Sequence, residues 1–384
     1  MTHPPRILLG VTSDMSLTLM RGFPEYLRDE GWDVHVVSAP GPALSALGTV
    51  PGIATHAVAM VRQPSPLQDL RSLIAWHRLL RQVRPNVISV GTPKAALLGG
   101  IAGFLAKVPR RIYILRGLRL ETCSGMQRRM LAALERISMG VAHDVVSVSE
   151  SLSRRVVEYG LVSAAKVRVL GHGSSNGVDV EAFTRDSFAP GKIASLAESL
   201  GIVAEVPVIG FVGRLSADKG LTVLSEARAL LTQRGVDHQL LVVGGLDEGE
   251  DGSLIEAIRF SGRQMIATGH VHDTRPYFQL MDIFCLPTYR EGFPNVVLES
   301  AASGVPAVTT DATGAVDSVV TEITGLIVAV GSATELADAL ERLIADESLR
   351  SRMGEAARIR VTAQFDRADV WDRLNTYYVE SLHS

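Results

Sequence analysis

Cysteine is nearly missing from this chain: there are two among 384 residues, Cys123 and Cys285, far apart and with no Cys or His nearby at metal-ligand spacing. Redox and zinc chemistry are set aside on that ground, and Cys285, inside Ile283-Phe-Cys-Leu286, reads as a buried strand residue acting as a small hydrophobe. No run approaches the roughly 18 apolar residues a membrane span needs, so no segment is expected to cross a bilayer. The start, Met1-Thr-His-Pro-Pro-Arg6, leads into only a short apolar run over 7–11, without a signal peptide's h-region or cleavage site. The expected location is the cytoplasm. No Gly-x-Gly-x-x-Gly follows the first apolar run, between Gly10 and Ser16, which argues against dinucleotide binding. Low-complexity tracts are missing, as is any repeat with a period of about 20 to 50 residues.

What is present is an ordinary globular composition, 46% hydrophobic and 21% charged. At 384 residues the chain exceeds the size at which one core keeps growing, so two domains are expected. Net charge is only −3, but it is unevenly spread: residues 1–180 carry 21 Lys and Arg against 12 Asp and Glu, and the remainder 17 against 29. Such asymmetry implies that the first half meets something anionic, and the density of Lys107, Arg110, Arg111, Arg116 and Arg119, followed by Arg128 and Arg129, points the same way. Nucleic acid, anionic lipid headgroups and a diphosphate-linked ligand all fit; solvated helix faces are the plain alternative.

Short apolar runs alternate with helical patterns throughout, the mark of repeated βα units and a parallel sheet. Strands are expected over 6–11, 34–38, 87–90, 111–115, 145–148 and 167–170, with helices over 17–30, 67–83, 95–106, 126–141 and 152–159. The pattern breaks at Gly171-His-Gly-Ser-Ser-Asn-Gly177, where glycines and an Asn-Gly pair mark turns. A second strand series follows at 208–212, 239–243, 265–268, 283–286, 307–309 and 326–328, and from Val330 the chain reads as helical apart from breaks near Glu347 and Phe365. The domains expected are 1–180 and 181–364, with 365–384 a terminal helix packing back on the first. Two doubly wound sheets in tandem imply a cleft, with ligands at the carboxyl ends of strands.

Two loops sit where such ligands bind. Gly213-Arg214-Leu-Ser-Ala-Asp-Lys219-Gly220 follows a strand: Gly213 lets backbone approach a ligand, Arg214 can grip phosphate oxygens bidentately, and Lys219 adds a point charge. In Glu291-Gly-Phe-Pro-Asn-Val-Val-Leu-Glu299, Pro294 suits a first helical turn, so the amides of Asn295, Val296 and Val297 would stand unpaired as a phosphate cradle. Glu299, a turn further in, would reach a ribose diol, and Glu291 a hexose. Cations for a diphosphate and carboxylates for sugar hydroxyls are what a nucleotide-sugar requires. The alternatives are a surface turn with two cations, a helix-capping Glu291 and a surface Glu299. The acidic run 247–251 reads as a solvated loop, and no metal cluster is evident.

These two motifs, with Asn176-Gly-Val-Asp179 before the second domain and Ala302-Ser-Gly304-Val-Pro306 after the second glutamate, closely resemble the retaining glycosyltransferases of family 4. The resemblance covers nearly the whole chain. It implies an α/β architecture of the GT-B kind: two doubly wound Rossmann-like domains facing across a cleft, the first binding acceptor and the second the nucleotide-sugar. It further implies that Arg214 and Lys219 hold the diphosphate, Glu299 the ribose and Glu291 the donor sugar, with Gly213, Phe293, Pro294, Asn295, Val296 and Val297 around them and main chain near Val271 at the base. The N-terminal half departs from the family's commonest pattern. Where many members carry a histidine loop, this chain has Arg116-Gly-Leu-Arg119-Leu-Glu121-Thr, as in a subgroup of bacterial transferases acting on polyprenyl diphosphate carriers. Arg116 or Glu121 would then take the histidine's place, with Arg119 and Glu121 toward the acceptor, and Ser16, near the next helix start, facing the diphosphate in place of the common double glycine.

The resulting expectation is retaining transfer of a hexose or N-acetylhexosamine from a UDP-sugar to a hydroxyl of a lipid-diphosphate-linked glycan in polysaccharide assembly. No metal or other cofactor is required, since the leaving diphosphate serves as base and the scattered histidines (His143, His172, His270, His272) are not needed. The basic first half would rest as a peripheral contact on the anionic inner face of the plasma membrane. Two other readings stay open: an isomerase such as a UDP-N-acetylglucosamine 2-epimerase, and a non-catalytic nucleotide-sugar-binding protein.

Overall fold

A strand with no solvent face must lie in a sheet covered on both sides, and the apolar runs behave so: every residue of Val87–Val90, Val208–Val212 and Gln239–Val243 is buried. The computed structural model describes residues 4–61, 65–246 and 265–383, and the acidic run 247–251 lies outside them. Two compact units result, Met1–Asn176 with Asp369–Ser384, and Gly177–Ala368. The chain thus passes between units within a few residues of positions 180 and 364.

The first unit holds β1 (Arg6–Gly10), β2 (Asp33–Ser38), β3 (Ile53–Ala57), β4 (Val87–Val90), β5 (Arg110–Leu115), β6 (Asp144–Ser147) and β7 (Val167–Val169), in the order β3-β2-β1-β4-β5-β6-β7. The second holds β8 (Val208–Val212), β9 (Gln239–Val243), β10 (Met265–Ala267), β11 (Ile283–Leu286), β12 (Ala307–Thr310) and β13 (Gly325–Val328), in the order β10-β9-β8-β11-β12-β13. All pairings between these strands are parallel. Strand order reverses between β1 and β4 in one sheet and between β8 and β11 in the other, and such reversals open a crevice at the carboxyl ends.

Besides the short helix Pro42–Leu47, for which no element was expected, a strand and a helix differ from the sequence expectation. Strand β3 escaped notice because Ile-Ala-Thr-His-Ala, at the sheet edge, has only Ile53 buried and so lacks the apolar run of a central strand. The helix expected over 17–30 is instead a 3-10 segment, Asp14–Met20, and an α-helix, Phe23–Asp29, divided at Gly22, whose φ of +84° ends one and starts the other. Gly10, which closes β1, serves packing: a Cβ there would lie 2.7 Å from the Trp76 ring, and Trp76 is fully buried.

The terminal helix, Arg367–Ser381, belongs mostly to the first unit. Its Trp371 ring lies 6.0 Å from Phe23 and 5.4 Å from Tyr26, and Trp371 Nε1 donates to Asn176 Oδ1 at 2.8 Å. Trp32 Nε1 donates to Asn375 Oδ1 at 2.8 Å, and the Tyr378 and Ser89 hydroxyls meet at 2.7 Å. Buried polar tips thereby find partners within an otherwise apolar interface. Among the described residues, no helix is long and apolar enough to cross a membrane.

Candidate active site

Glycines decide how closely the loops at the carboxyl end of the second sheet approach one another. Gly220 has φ +73°, and a Cβ there would lie 1.8 Å from the Pro287 carbonyl oxygen, so only glycine lets the loop after β8 rest on the loop after β11. The contact is fastened by hydrogen bonds: Tyr289 N–H and the Thr288 hydroxyl both donate to the Asp218 carbonyl, at 2.9 and 3.0 Å. A third loop joins at Gly314, φ +77°, whose Cβ would overlap the Gly292 and Glu291 carbonyls at 2.4 and 2.6 Å. Glu291 N–H donates to Thr313 O at 2.9 Å, which holds the glutamate's backbone in place. On the other side, Gly213 N–H donates to Val243 O and Gly244 N–H to Gly269 O, both at 3.0 Å. The main chain near Val271 is thereby anchored to the same end of the sheet.

Two ion pairs bridge the first two loops. Lys219 Nζ lies 2.5 Å from Glu291 Oε1, with both side chains 15% exposed, and Arg290 Nη2 lies 3.0 Å from Asp218 Oδ2. Burial raises the Asp218 carboxyl, but the Ser216 hydroxyl donating at 2.6 Å and the cations of Arg290, Lys219 and Arg214 outweigh it, leaving the carboxyl below its ordinary value. Arg214 is exposed on the same loop. The two ion pairs and Arg214 thereby gather three cations and two carboxylates where these loops meet.

The second motif forms the helix Asn295–Ala302, capped by Pro294. Its open end is narrower than expected, because Val297 N–H donates to Pro294 O at 3.0 Å; Asn295 and Val296 remain as the amides facing outward. Phe293 and the side chain of Val297 are buried, and the Phe293 ring packs on Phe365 at 5.3 Å, so these positions can serve a ligand through backbone alone. Glu299 is partly buried one turn along, and burial pushes its carboxyl up to about 7 although the Arg367 guanidinium opposes the shift.

In the first unit, Arg116 is a fastening. Its Nη1 donates to the carbonyls of Leu19 at 3.1 Å and Ser175 at 2.8 Å and also meets the Ser175 hydroxyl, and burial draws its pKa down to about 10. A guanidinium so engaged ties the 3-10 segment to the end of the unit, a fastening role beside the ligand-facing one expected for Arg116 or Glu121. Glu121 Oε1 lies 3.4 Å from Arg155 Nε, and Arg119 is exposed. Ser16 lies in the first turn of the 3-10 segment, its amide donating to Ser13 O at 2.9 Å, and the α-helix that follows begins at Phe23. His143 Nδ1 accepts the Arg111 amide at 3.1 Å, a structural contact between strand and loop. His270 and His272 are exposed at the end of β10.

Sequence reasoning passed over Asp218, Arg290, Thr288, Gly314 and Arg367. A signal for the first two was present: Asp218-Lys219 and Arg290-Glu291 are dipeptides of opposite charge in the two loops that meet, and crossing them gives two pairs.

The family described as glycosyl transferases group 1 matches residues 206–346, and the glycosyl transferase 4-like domain matches residues 20–173. The capsular polysaccharide biosynthesis glycosyltransferase CapM of Staphylococcus aureus is 37% identical over 371 residues, 96% of this chain and 95% of that protein. The chain belongs to glycosyltransferase family 4. A further relative of this glycosyltransferase is the UDP-Gal:alpha-D-GlcNAc-diphosphoundecaprenol alpha-1,3-galactosyltransferase of Escherichia coli, 22% identical over 93% of this chain and 92% of that protein. Among solved structures, Anabaena HepE in complex with UDP and glucose superposes with a TM-score of 0.81 at 20% identity, covering 98% of this chain and all of that one. The fold of this glycosyltransferase is accordingly GT-B, two Rossmann-like α/β domains.

Proposed function

We propose that this glycosyltransferase moves a hexose or N-acetylhexosamine, with retention of anomeric configuration, from a UDP-sugar to a hydroxyl of a lipid-diphosphate-linked glycan, in capsular or related polysaccharide assembly at the inner face of the plasma membrane. The observation that carries the reading is the Lys219–Glu291 contact at 2.5 Å beside the Arg290–Asp218 pair, where two loops meet at the carboxyl end of the second sheet. An entering diphosphate gives Lys219 a second anionic partner, and Glu291 is left beside it to accept hydrogen bonds from the sugar. In the transfer the bond from the anomeric carbon to the diphosphate oxygen breaks and a bond to the acceptor oxygen forms on the same face. The departing diphosphate, stabilised by Arg214, Lys219 and the outward amides of Asn295 and Val296, takes the acceptor's proton. Glu299 accepts the ribose hydroxyls. No metal is required, because fixed cations supply the compensating charge. The role of Staphylococcus CapM in capsular polysaccharide biosynthesis supports the pathway, the diphosphoundecaprenol acceptor of the Escherichia galactosyltransferase supports the acceptor class, and the UDP bound in Anabaena HepE supports the donor.

The test is transfer of label from UDP-glucose, UDP-galactose and their N-acetylated forms to a short-chain prenyl diphosphate sugar, in the presence of a chelator, with product configuration read by NMR. Labelled glycolipid with an α linkage supports the proposal. Epimerised nucleotide-sugar formed without acceptor, or no turnover of any donor with Arg214→Ala and Lys219→Ala no different from the unaltered protein in UDP binding, would overturn it.

A further inference from the structure

In the first unit the helix Pro93–Leu105 packs between Pro66–Val83 and Gly125–Val141. The outer faces of the two flanking helices are unusual for water-facing surface. On Gly125–Val141 the exposed positions Met126, Met130 and Ile137 fall one to two turns apart, 78%, 42% and 46% exposed, so the apolar stripe of this helix faces outward. On Pro66–Val83, Leu67, Leu70 and Ile74 do the same at 78%, 55% and 44%. Phe104 and Leu105, each 56% exposed, close the helix between them.

Charge at the exposed positions of the two flanking helices has one sign, with Arg128 lying over the Tyr159 ring and Arg136 donating to the Tyr159 and Gly160 carbonyls. Arg71, Arg78 and Arg81 lie exposed on one, and Arg128, Arg129 and Arg136 on the other. The three helices contain two acids, and neither offsets these cations: Asp69 pairs with Lys94 at 2.7 Å, and Glu135 is buried against the Tyr113 hydroxyl at 3.1 Å. Apolar stripes flanked by arginines with no exposed acid between them match one partner chemistry, the interface of an anionic bilayer, where the stripe enters the acyl boundary and the cations meet phosphate. A protein partner with an apolar face would leave six arginines to be matched singly.

We infer that this face, built on Met126, Met130, Leu67 and Leu70 with Arg128 and Arg129, docks on an anionic phospholipid surface. Its position gives it a purpose. The helix Gly125–Val141 follows directly on the segment Arg119–Thr122 and begins at the carboxyl edge of the sheet, so docking sets that segment at the level of lipid headgroups. Resting on the reading of a lipid-diphosphate-linked acceptor, the inference adds how the chain finds it: by partitioning to the surface that holds it. Each arginine near such a surface contributes roughly fivefold in partitioning.

The experiment is sedimentation of the full chain with vesicles of phosphatidylcholine alone and with phosphatidylglycerol added, at low and high salt. Three proteins are compared: the unaltered chain, the double variant Met126→Glu with Met130→Glu, and Ile359→Glu, a control at an exposed apolar site (61%) in the other unit. Binding that needs phosphatidylglycerol, falls at least tenfold in the double variant and is unchanged in Ile359→Glu supports the inference. It is overturned by equal vesicle binding of all three, by absence of vesicle binding, or by a self-association of the unaltered chain that the double variant abolishes while vesicle binding persists. Thermal midpoint and UDP binding of the double variant check that fold and donor site are intact. Because transfer to a water-soluble acceptor glycoside does not require a bilayer, its loss in the unaltered chain would count against the proposed function, whereas its persistence with unaltered vesicle binding in the double variant would count against the docking face alone.

Discussion

Replacing Glu299 by Gln should change how UDP binding depends on pH. Burial holds the Glu299 carboxyl at about 7 against an ordinary 4.5, so below about pH 7 the nucleotide-free protein carries the proton and above it the carboxylate. A ribose diol donates hydrogen bonds and needs the carboxylate to accept them. Nucleotide therefore binds the deprotonated form better, and affinity should rise with pH up to about 7 and level off above it. Between pH 8 and pH 5.5 the loss is set by the distance below 7, a factor of about 30, or about 2 kcal/mol. The nucleotide's own phosphate titrates near pH 6, so the informative quantity is the difference between the unaltered protein and Glu299→Gln. Titration calorimetry at pH 6 in buffers of differing ionisation enthalpy should show close to one more proton released by the unaltered protein on binding UDP. By the same linkage, the nucleotide-free fold loses stability relative to Glu299→Gln as pH rises from about 4.5 through 7, since a raised folded-state value favours the protonated form. Parallel affinity profiles for the two proteins between pH 5.5 and 8, with equal proton release, would refute the assignment of Glu299 to the ribose.

Other outcomes follow from the same geometry. Lys219→Ala should weaken UDP binding about 10- to 100-fold, the worth of a charge-assisted hydrogen bond to a phosphate, while Glu291→Gln leaves UDP affinity within a few fold and lowers turnover; calorimetry and transfer rates separate the two. Gly220→Ala forces a Cβ to 1.8 Å from the Pro287 oxygen at φ +73°, and a loss of more than about 2 kcal/mol is expected from the clash and the strain together, read as a lowered unfolding midpoint. Arg116→Ala should lower the unfolding midpoint by removing donors from the Leu19 and Ser175 carbonyls without altering the KM for UDP-sugar, and a changed KM at unchanged stability would return Arg116 to the ligand.

Legibility followed burial. Strands of continuous apolar residues, such as Val87–Val90 and Val208–Val212, are found at the residues the sequence suggests, because a fully buried parallel strand has no polar positions to blur its pattern. The edge strand Ile53–Ala57 is paired on one side only and half exposed, so its residues carry no such pattern. The same logic applies to the site. Glycine, proline and charge at set spacing mark the two loops of the second domain, since a loop that approaches another backbone tolerates few residue types. The first domain's loop 116–122 has no comparable constraint, and only the structure shows that its Arg116 fastens the Leu19 and Ser175 carbonyls.

By itself the sequence determined that there are two parallel α/β units, where the loops that carry Arg214, Lys219 and Glu291 begin, and that Glu299 lies on the helix that follows, because periodicity and turn chemistry are local properties of the chain. Only the tertiary structure decided which charges meet. Lys219 chooses Glu291 and Asp218 chooses Arg290, each partner 72 positions along the chain, through backbone contacts at Gly220 and Gly314. It also decided that the apolar stripe of Gly125–Val141 faces outward, which no helical pattern can state, since periodicity gives a helix an apolar side but not the direction in which that side points.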